Sequence, residues 1–167
     1  MSKNPYLIET FKKKHLNKIN LMSYNFWGEK GIYNNSYYLK LISQKISLCL
    51  KFDSKIIGAC LCEDLKYKRS LISLLMIDEK YQNKGFGKLL LSFCIDNLKS
   101  KNYNFCILQV NNKNSKAIHL YENLGFFKIN FLEDYYKDEE DSDAFLMAKY
   151  LYKPKFDYEC FNIKLNN

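Results

Sequence analysis

The hydrophobic positions of the chain alternate between a period of two and a helical period, and each change marks a new element. Short apolar or alternating runs bounded by turn residues predict seven strands. They cover residues 5–11, 47–52, 55–63, 70–77, 105–110, 126–132 and 144–152. Asp53 and Ser54 form a turn between the second and third strands, so these two strands make an antiparallel hairpin that 70–77 continues as a meander.

Apolar residues spaced three or four apart predict four helices between these strands. They cover 15–25, 37–45, a segment that follows Gly87 and ends near Lys101, and a short segment capped by Ser115 and stopped by Gly125. The order β-α-α-β-β-β-α-β-α-β-β predicts an α/β chain with a mixed sheet. Residues 105–110 should run parallel to 70–77, because a helix carries the crossover between them.

The length of 167 residues predicts a single domain over residues 1–167, with its core at about 6–152. We find no internal repeat or linker. The C-terminal extension 153–167 carries apolar residues such as Phe156, Phe161 and Leu165, which make it too apolar for a plain disordered tail. The chain has no apolar run of 18 residues and no secretory leader pattern, so the expected location is the cytoplasm, away from membranes.

The charge and the cysteines narrow the choice of partners. The net charge is +8, but the lysines are scattered and no nucleic-acid motif accompanies them, so we predict no direct nucleic-acid site. The six cysteines fall mostly in apolar runs, as is typical of small buried hydrophobes in a reducing compartment. Cys60 and Cys62 share one face of a strand, but no second cysteine pair or histidine cluster completes a metal site. We therefore predict no bound metal.

Residues 82–88 lie between a predicted strand and a predicted helix and suit a phosphate ligand. Gly85 and Gly87 allow a tight turn that aims backbone amides at one point, where a helix N-terminus favours an anion. Lys84 and Lys88 add positive charge. The glycine pair alone fits a softened strand-to-helix turn equally well. The spacing matches neither a P-loop nor a complete dinucleotide-binding fingerprint.

Two spaced motifs together resemble the paired signatures of the GNAT superfamily of N-acetyltransferases. They are Gln-x-x-Gly-x-Gly at 82–87 and Asn-x-x-Ala-x-x-Leu-Tyr-x-x-x-Gly-Phe at 114–126. The resemblance extends from about Tyr6 to Tyr152. It implies the GNAT fold, whose central mixed sheet is splayed at its parallel strand pair, and it implies acetyl-CoA as co-substrate.

The resemblance also implies roles for individual residues. Backbone groups of Leu75, Met76 and Ile77 would bind the pantetheine arm of acetyl-CoA, and Asn114 would face the co-substrate where the parallel strands splay. The pyrophosphate would be held by Gln82, Asn83, Lys84, Gly85, Phe86, Gly87 and Lys88. Tyr121 would donate a proton to the departing thiolate; from its helical position alone, a packing role is the alternative.

The segment around 135–147 resembles a narrower group, the protein N-terminal acetyltransferases of the NatE-type or ribosomal-protein-alanine kind. A Tyr-Tyr pair, an acidic turn and an Asp-Ala strand carry this likeness. It implies protein or peptide N-termini as substrate, and an auxiliary subunit or the ribosome as a further partner. The residues that would clamp the peptide are Phe26, Trp27 and Tyr33 on one side and Tyr135 and Tyr136 on the other. The acidic turn fits either substrate attraction or a solvated hairpin tip.

Gln109 departs from the pattern of this group, because related enzymes often carry a glutamate or histidine base there. An amide is no useful proton acceptor at neutral pH. We predict that Gln109 holds a water instead, with Glu63 or Asp134 as the carboxylates that could reach the site from elsewhere. Two alternatives stay open: an acetyltransferase for a small amine such as an amino sugar or polyamine, and a catalytically idle subunit with this fold.

Overall fold

The computed structural model describes residues 5–137 and 142–152, and within them the predicted order of elements is confirmed. The strands are β1 (Tyr6–Thr10), β2 (Leu48–Phe52), β3 (Lys55–Leu65), β4 (Arg69–Ile77), β5 (Phe105–Asn111), β6 (Phe127–Leu132) and β7 (Ala144–Tyr150). The helices are α1 (Leu16–Trp27), α2 (Asn35–Gln44), α3 (Phe86–Ser100) and α4 (Ser115–Asn123). The extension 153–167, Cys160 and the acidic residues 138–141 lie outside the described residues.

Two helix starts differ from the prediction because an asparagine caps each of them. The Asn34 side chain accepts a hydrogen bond from the Tyr37 amide, so α2 begins two residues earlier than expected, at Asn35. The Asn114 side chain accepts one from the Ala117 amide at 3.1 Å, which makes Asn114 the N-cap of α4. The prediction of Ser115 as N-cap was therefore wrong. An asparagine oxygen satisfies an otherwise unpaired first-turn amide in both helices.

The sheet places its strands in the order β1-β2-β3-β4-β5-β7-β6, and the β4–β5 pair is parallel. This pair is short, since it runs only from Arg69 opposite Phe105 to Ile72 opposite Leu108. Beyond that point β4 stays paired with β3, and β5 stays paired with β7. The predicted splay of the parallel pair is thus confirmed, and it opens the sheet at the C-terminal ends of these two strands.

Helices cover both faces of the sheet and create two clusters of buried side chains. One cluster lies under α3 and α4 and includes Cys60, Leu91 and Leu98, and the other lies under α1 and α2 and includes Leu41 and Leu61. The central strand β3 is buried on both faces, which explains its nearly continuous apolar sequence. Each fully buried leucine contributes roughly 1.5–3 kcal/mol. Among the helices of the described chain, none is long and apolar enough to cross a bilayer.

His15 joins β1 to the start of α1 and is almost completely buried. Its Nδ1 accepts a hydrogen bond from the Lys12 amide at 3.1 Å, and its Nε2 lies 3.0 Å from Glu9 Oε1. Lys14 and Lys51 pair with the same carboxylate. Burial, helped by these two lysines, lowers the pKa of His15 although Glu9 opposes the shift. The folded protein therefore favours the neutral imidazole.

This arrangement predicts a loss of stability in weak acid. Because His15 takes up a proton more readily in the unfolded chain, the free energy of unfolding should fall as the pH drops below the ordinary value of 6.5. Glu9 adds little to the pH dependence of stability near pH 6, because its pKa is lowered from 4.5, mainly by the hydrogen bond to Lys51. Urea unfolding at about pH 7.5 and about pH 5.5 measures the difference. His15→Gln should reduce this difference in the free energy of unfolding, whereas substitution of the exposed His119 by Gln should leave it unchanged. An equal difference in the original protein and both variants would contradict the role of His15.

Candidate active site

The turn from β4 to α3 exposes backbone amides at a helix start. Asn83 and Gly85 have positive φ angles of 58° and 82°, and the Gln82 side chain fastens the turn by donating to the Ile77 carbonyl at 3.0 Å. Gly85 is the N-cap of α3 and offers no capping side chain. The first helical hydrogen bond runs from the Leu89 amide to the Gly85 carbonyl. The amides of the three preceding residues, 86–88, therefore have no acceptor within the helix and suit an anion.

The two lysines of this turn, which the sequence analysis treated alike, have different surroundings in the structure. The Lys84 ammonium donates to the Lys80 carbonyl at 2.9 Å and lies 5.5 Å from the centroid of the Tyr81 ring. Lys88 is exposed on the first turn of α3. A methyl group at Gly87 would make only ordinary contacts, 3.6 Å from Leu120 Cδ2. Packing of the described residues thus tolerates a side chain at Gly87.

A cavity of about 320 Å³ lies where β4 and β5 part. It brings together residues from α1, β4, β5 and α4 and from connecting segments, which the sequence separates by up to about a hundred positions. Seven of the predicted site residues line it: Trp27, Tyr33, Leu75, Gln109, Asn114, Tyr121 and Tyr136. The cavity therefore joins the predicted catalytic residues to one residue or more from each side of the predicted clamp.

The remaining predicted site residues do not line the cavity. Met76 and Ile77 point their side chains into opposite hydrophobic clusters. Phe26 packs its ring 5.3 Å from that of Trp27 and is 38% exposed, while Tyr135 packs edge-on against Tyr136 and is 44% exposed. The phosphate turn, residues 82–88, also lies outside the cavity lining. Only one tyrosine of the Tyr-Tyr pair therefore reaches the cavity wall.

Tyr121 is held in α4 with its ring in the core and 8% of its surface exposed. The centroid of its ring lies 5.8 Å from that of Phe126, so Tyr121 does pack in the core. The residue also lines the cavity. Burial, with smaller contributions from Cys60 and Tyr136, raises the pKa of Tyr121 well above its usual value. The hydroxyl therefore stays protonated at neutral pH and is available as a proton donor.

The described side chains that line the cavity include neither a carboxylate nor an imidazole. Glu63 is engaged elsewhere, since it accepts a hydrogen bond from Tyr37 at 2.9 Å and pairs with Lys40. Asp134 accepts one from Ser142 at 2.7 Å. The expectation that one of these two carboxylates reaches the site finds no support in these positions. Gln109 thus lines a cavity whose other described polar side-chain groups are amides, hydroxyls, the Trp27 indole N–H and the Lys30 ammonium.

Ser73 was missed by the sequence analysis and proves central to the cavity wall. Leu61 pairs with Leu74 but Cys62 pairs with Ile72, so Ser73 is the extra residue of a β-bulge. The Tyr33 hydroxyl donates to the Ser73 carbonyl at 2.8 Å, and the Ser73 hydroxyl donates to the Leu61 carbonyl at 3.2 Å. Burial raises the pKa of Tyr33 to about 12, so this donor keeps its proton. The sequence feature that could have indicated Ser73 is its position as a polar residue inside the otherwise apolar stretch 71–77.

A mixed sheet split at one parallel pair, a helix start with free amides after β4 and a buried tyrosine in the next helix together define an acetyltransferase fold. The comparison with known families agrees. The chain belongs to the Acetyltransferase (GNAT) family, whose profile matches residues 13–126.

Relatives and solved structures carry the same likeness. The [ribosomal protein bS18]-alanine N-acetyltransferase of Haemophilus influenzae is 34% identical over 108 residues, which cover 64% of this chain and 73% of that protein. The crystal structure of the ribosomal-protein-S18-alanine N-acetyltransferase from Escherichia coli superposes with a TM-score of 0.80 at 21% identity, over 89% of this chain and 96% of that one. Naa50 of Arabidopsis thaliana, solved with the bisubstrate analogue CoA-Ac-MVNAL, superposes with a TM-score of 0.77 at 23% identity, over 87% of this chain and 99% of that one.

Proposed function

We propose that the protein transfers the acetyl group of acetyl-CoA to the N-terminal α-amino group of a protein or peptide. Membership of the GNAT family supports the acetyl transfer. The α-amino substrate is supported by the bS18-alanine acetyltransferase relative and by the Naa50 neighbour with its CoA-peptide analogue. The observation that carries the choice of amine is the cavity itself, where the described lining includes a protonated tyrosine and an amide but no base.

The residues present fit acetyl-CoA at two places. The free amides at 86–88 and the nearby lysines suit its pyrophosphate, and the unpaired edge of β4 beyond Ile72 suits its amide-bearing arm. We assign Leu75, Met76 and Ile77 to that arm and residues 82–88 to the phosphates. The Asn114 side-chain oxygen is already used to cap α4, so this residue contributes its amide group or its backbone.

Bound acetyl-CoA supplies an acyl group already activated as a thioester. Tyr121 then acts as the proton donor to the leaving sulfur, because its hydroxyl stays protonated and lines the cavity. Gln109 orients the incoming amine or a water beside it. Trp27, Tyr33 and Tyr136 form the aromatic walls against which the first residues of the peptide pack. Phe26 and Tyr135 support these walls through their ring contacts.

A site without a base suits an amine that is easy to deprotonate. An α-amino group titrates near 8, so about a tenth of it is neutral at pH 7. A lysine side chain titrates about 3.4 units above pH 7, and its deprotonation costs about 4.6 kcal/mol there. An α-amine therefore needs far less help from the protein. This difference favours peptide N-termini over polyamines.

A substrate panel tests the proposal. We expect acetylation of peptides with free N-termini at a kcat/KM at least about 100-fold above that of spermidine or of the same peptides with a blocked N-terminus and a free lysine. Mass spectrometry of the products locates the acetyl group. Preferred acetylation of spermidine or an amino sugar would contradict the assignment, and so would acetyl-CoA binding without transfer to any amine.

The pH dependence of the same reaction gives a second result. Without a protein base, kcat/KM should rise with pH up to the titration of the peptide amine near 8 and show no essential group near 6. Peptides whose α-amine titrates lower should shift this profile to lower pH by the same amount. A profile fixed near pH 6 for every peptide would reveal a base in the protein and contradict the proposed chemistry.

A further inference from the structure

Three cysteines meet in the core beneath α3. Cys60 and Cys62 lie two residues apart on β3 and face the same side of the sheet, and Cys94 comes from the middle of α3. Their sulfur atoms all lie within 4.8 Å of one another. The Sγ atoms of Cys62 and Cys94 are 3.2 Å apart, and those of Cys60 and Cys62 are 3.9 Å apart. All three residues are 0% exposed.

The Cys60–Cys62 separation matches that of two sulfur ligands around one metal ion, and the Cys62 and Cys94 sulfurs have to move apart by about 0.6 Å to share that ion. Thiolates bind zinc at about 2.3 Å, which places two sulfurs about 3.8 Å apart in a tetrahedral site and about 4.0 Å apart in a trigonal one. We propose that Cys60, Cys62 and Cys94 form a binding site for a thiophilic d10 metal ion. Within the described residues, these three cysteines form the one group of at least three His, Cys, Asp or Glu side chains whose ligand atoms are close enough to share an ion. The site is independent of the acetyl-transfer proposal.

The donor set narrows the choice of ion. Three soft sulfurs select Cu⁺ or Zn²⁺ over oxygen-seeking ions such as Mg²⁺ and Ca²⁺. Zn²⁺ usually takes four ligands, and Cys106, although in the same hydrophobic cluster, is not part of the close group. Cu⁺ is satisfied by fewer ligands, so the three-sulfur arrangement favours it. Each thiol that coordinates as thiolate releases one proton to solvent, and the ion offsets one of the resulting negative charges if it is Cu⁺ and two if it is Zn²⁺.

The position of the site gives it a structural role. An ion there would join the middle of the sheet to α3, the helix that begins at the phosphate turn. Complete burial leaves no path for a substrate and marks a closed, structural type of site. It also means that the ion enters while the chain folds, since the unfolded chain leaves the thiols accessible.

Refolding in the presence of metal tests the site. The full chain is unfolded, reduced, and refolded without oxygen in the presence of one equivalent of Cu⁺ or Zn²⁺, and then desalted. We expect about one bound ion per chain by elemental mass spectrometry, a thiolate-to-metal charge-transfer band, and a melting temperature more than about 5 °C above that of the metal-free protein. Retention of Cu⁺ above Zn²⁺ would support the three-ligand assignment.

The chain offers a matched control. Cys49 is also a buried strand cysteine but packs in the cluster on the opposite face of the sheet. Cys49→Ala should keep the ion and the band, while Cys94→Ala and, independently, Cys60→Ala should lose both. Retention in all three variants, or no retention of either metal by the unmodified chain, would overturn the proposal. So would a Cys62–Cys94 disulfide found by mass spectrometry in the protein refolded with metal and reductant.

Discussion

Tyr121→Phe is expected to lower the turnover of acetyl transfer by about 100-fold or more, because a positioned general acid contributes about 10²–10⁴ in rate. The substitution removes one hydroxyl from the cavity wall and keeps the ring that packs against Phe126. Acetyl-CoA affinity should stay within about twofold of the original value, since the phosphate turn is untouched. Single-turnover acetylation of a peptide, together with calorimetric titration of acetyl-CoA, separates the two effects.

Tyr38→Phe is the matched control for this substitution. Tyr38 is fully buried on the opposite face of the sheet, and its hydroxyl has no hydrogen-bond partner among the described atoms. Loss of that hydroxyl should leave turnover unchanged and stability equal or higher. If Tyr121→Phe matches this control in turnover, Tyr121 only packs, and the proton for the leaving thiolate comes from another group.

Reversal of two charges at the phosphate turn should have the second large effect. We expect Lys84→Glu with Lys88→Glu to weaken acetyl-CoA binding about 10- to 100-fold, which corresponds to about 1.4–2.8 kcal/mol. Lys84 precedes the free amides of residues 86–88 and Lys88 carries one of them, so we expect the helix terminus and both lysines to attract the same phosphates. Two acidic side chains there repel that anion. Turnover at saturating acetyl-CoA should change little, because Tyr121 and Gln109 are untouched.

The opposite end of β4 provides the control. Lys66 and Lys68 are exposed on the turn that precedes β4, so Lys66→Glu with Lys68→Glu changes the net charge equally at a site remote from the phosphate turn. Acetyl-CoA affinity should remain the same in that variant at about 0.15 M salt, where charges beyond about 8 Å are screened. Equal weakening in both double variants would show that net charge, and not the turn, attracts acetyl-CoA.

Much of the site could be predicted because its motifs are local. The phosphate turn needs a glycine with positive φ, Gly85, at a helix start, and the whole motif lies within seven consecutive residues, 82–88. The short helix that carries Tyr121 follows from its own spacing and from Gly125, whose φ is 81°, while the role of Tyr121 came from the family resemblance. In the same way, the Asp53-Ser54 turn between two apolar runs already indicated the hairpin of β2 and β3. Such features depend on neighbours in the chain, which the sequence shows directly.

The sequence by itself therefore determined the order of elements and the place of the turn between β4 and α3. Tertiary structure alone decided which side chains share the cavity, because strand register and helix packing set contacts between distant residues. It placed Tyr33 against the Ser73 carbonyl and brought Cys94 to Cys60 and Cys62, across 40 and about 30 residues of chain. A local sequence pattern does not predict these contacts, because they depend on strand register. A register shift of one residue would turn each strand side chain to the other face of the sheet.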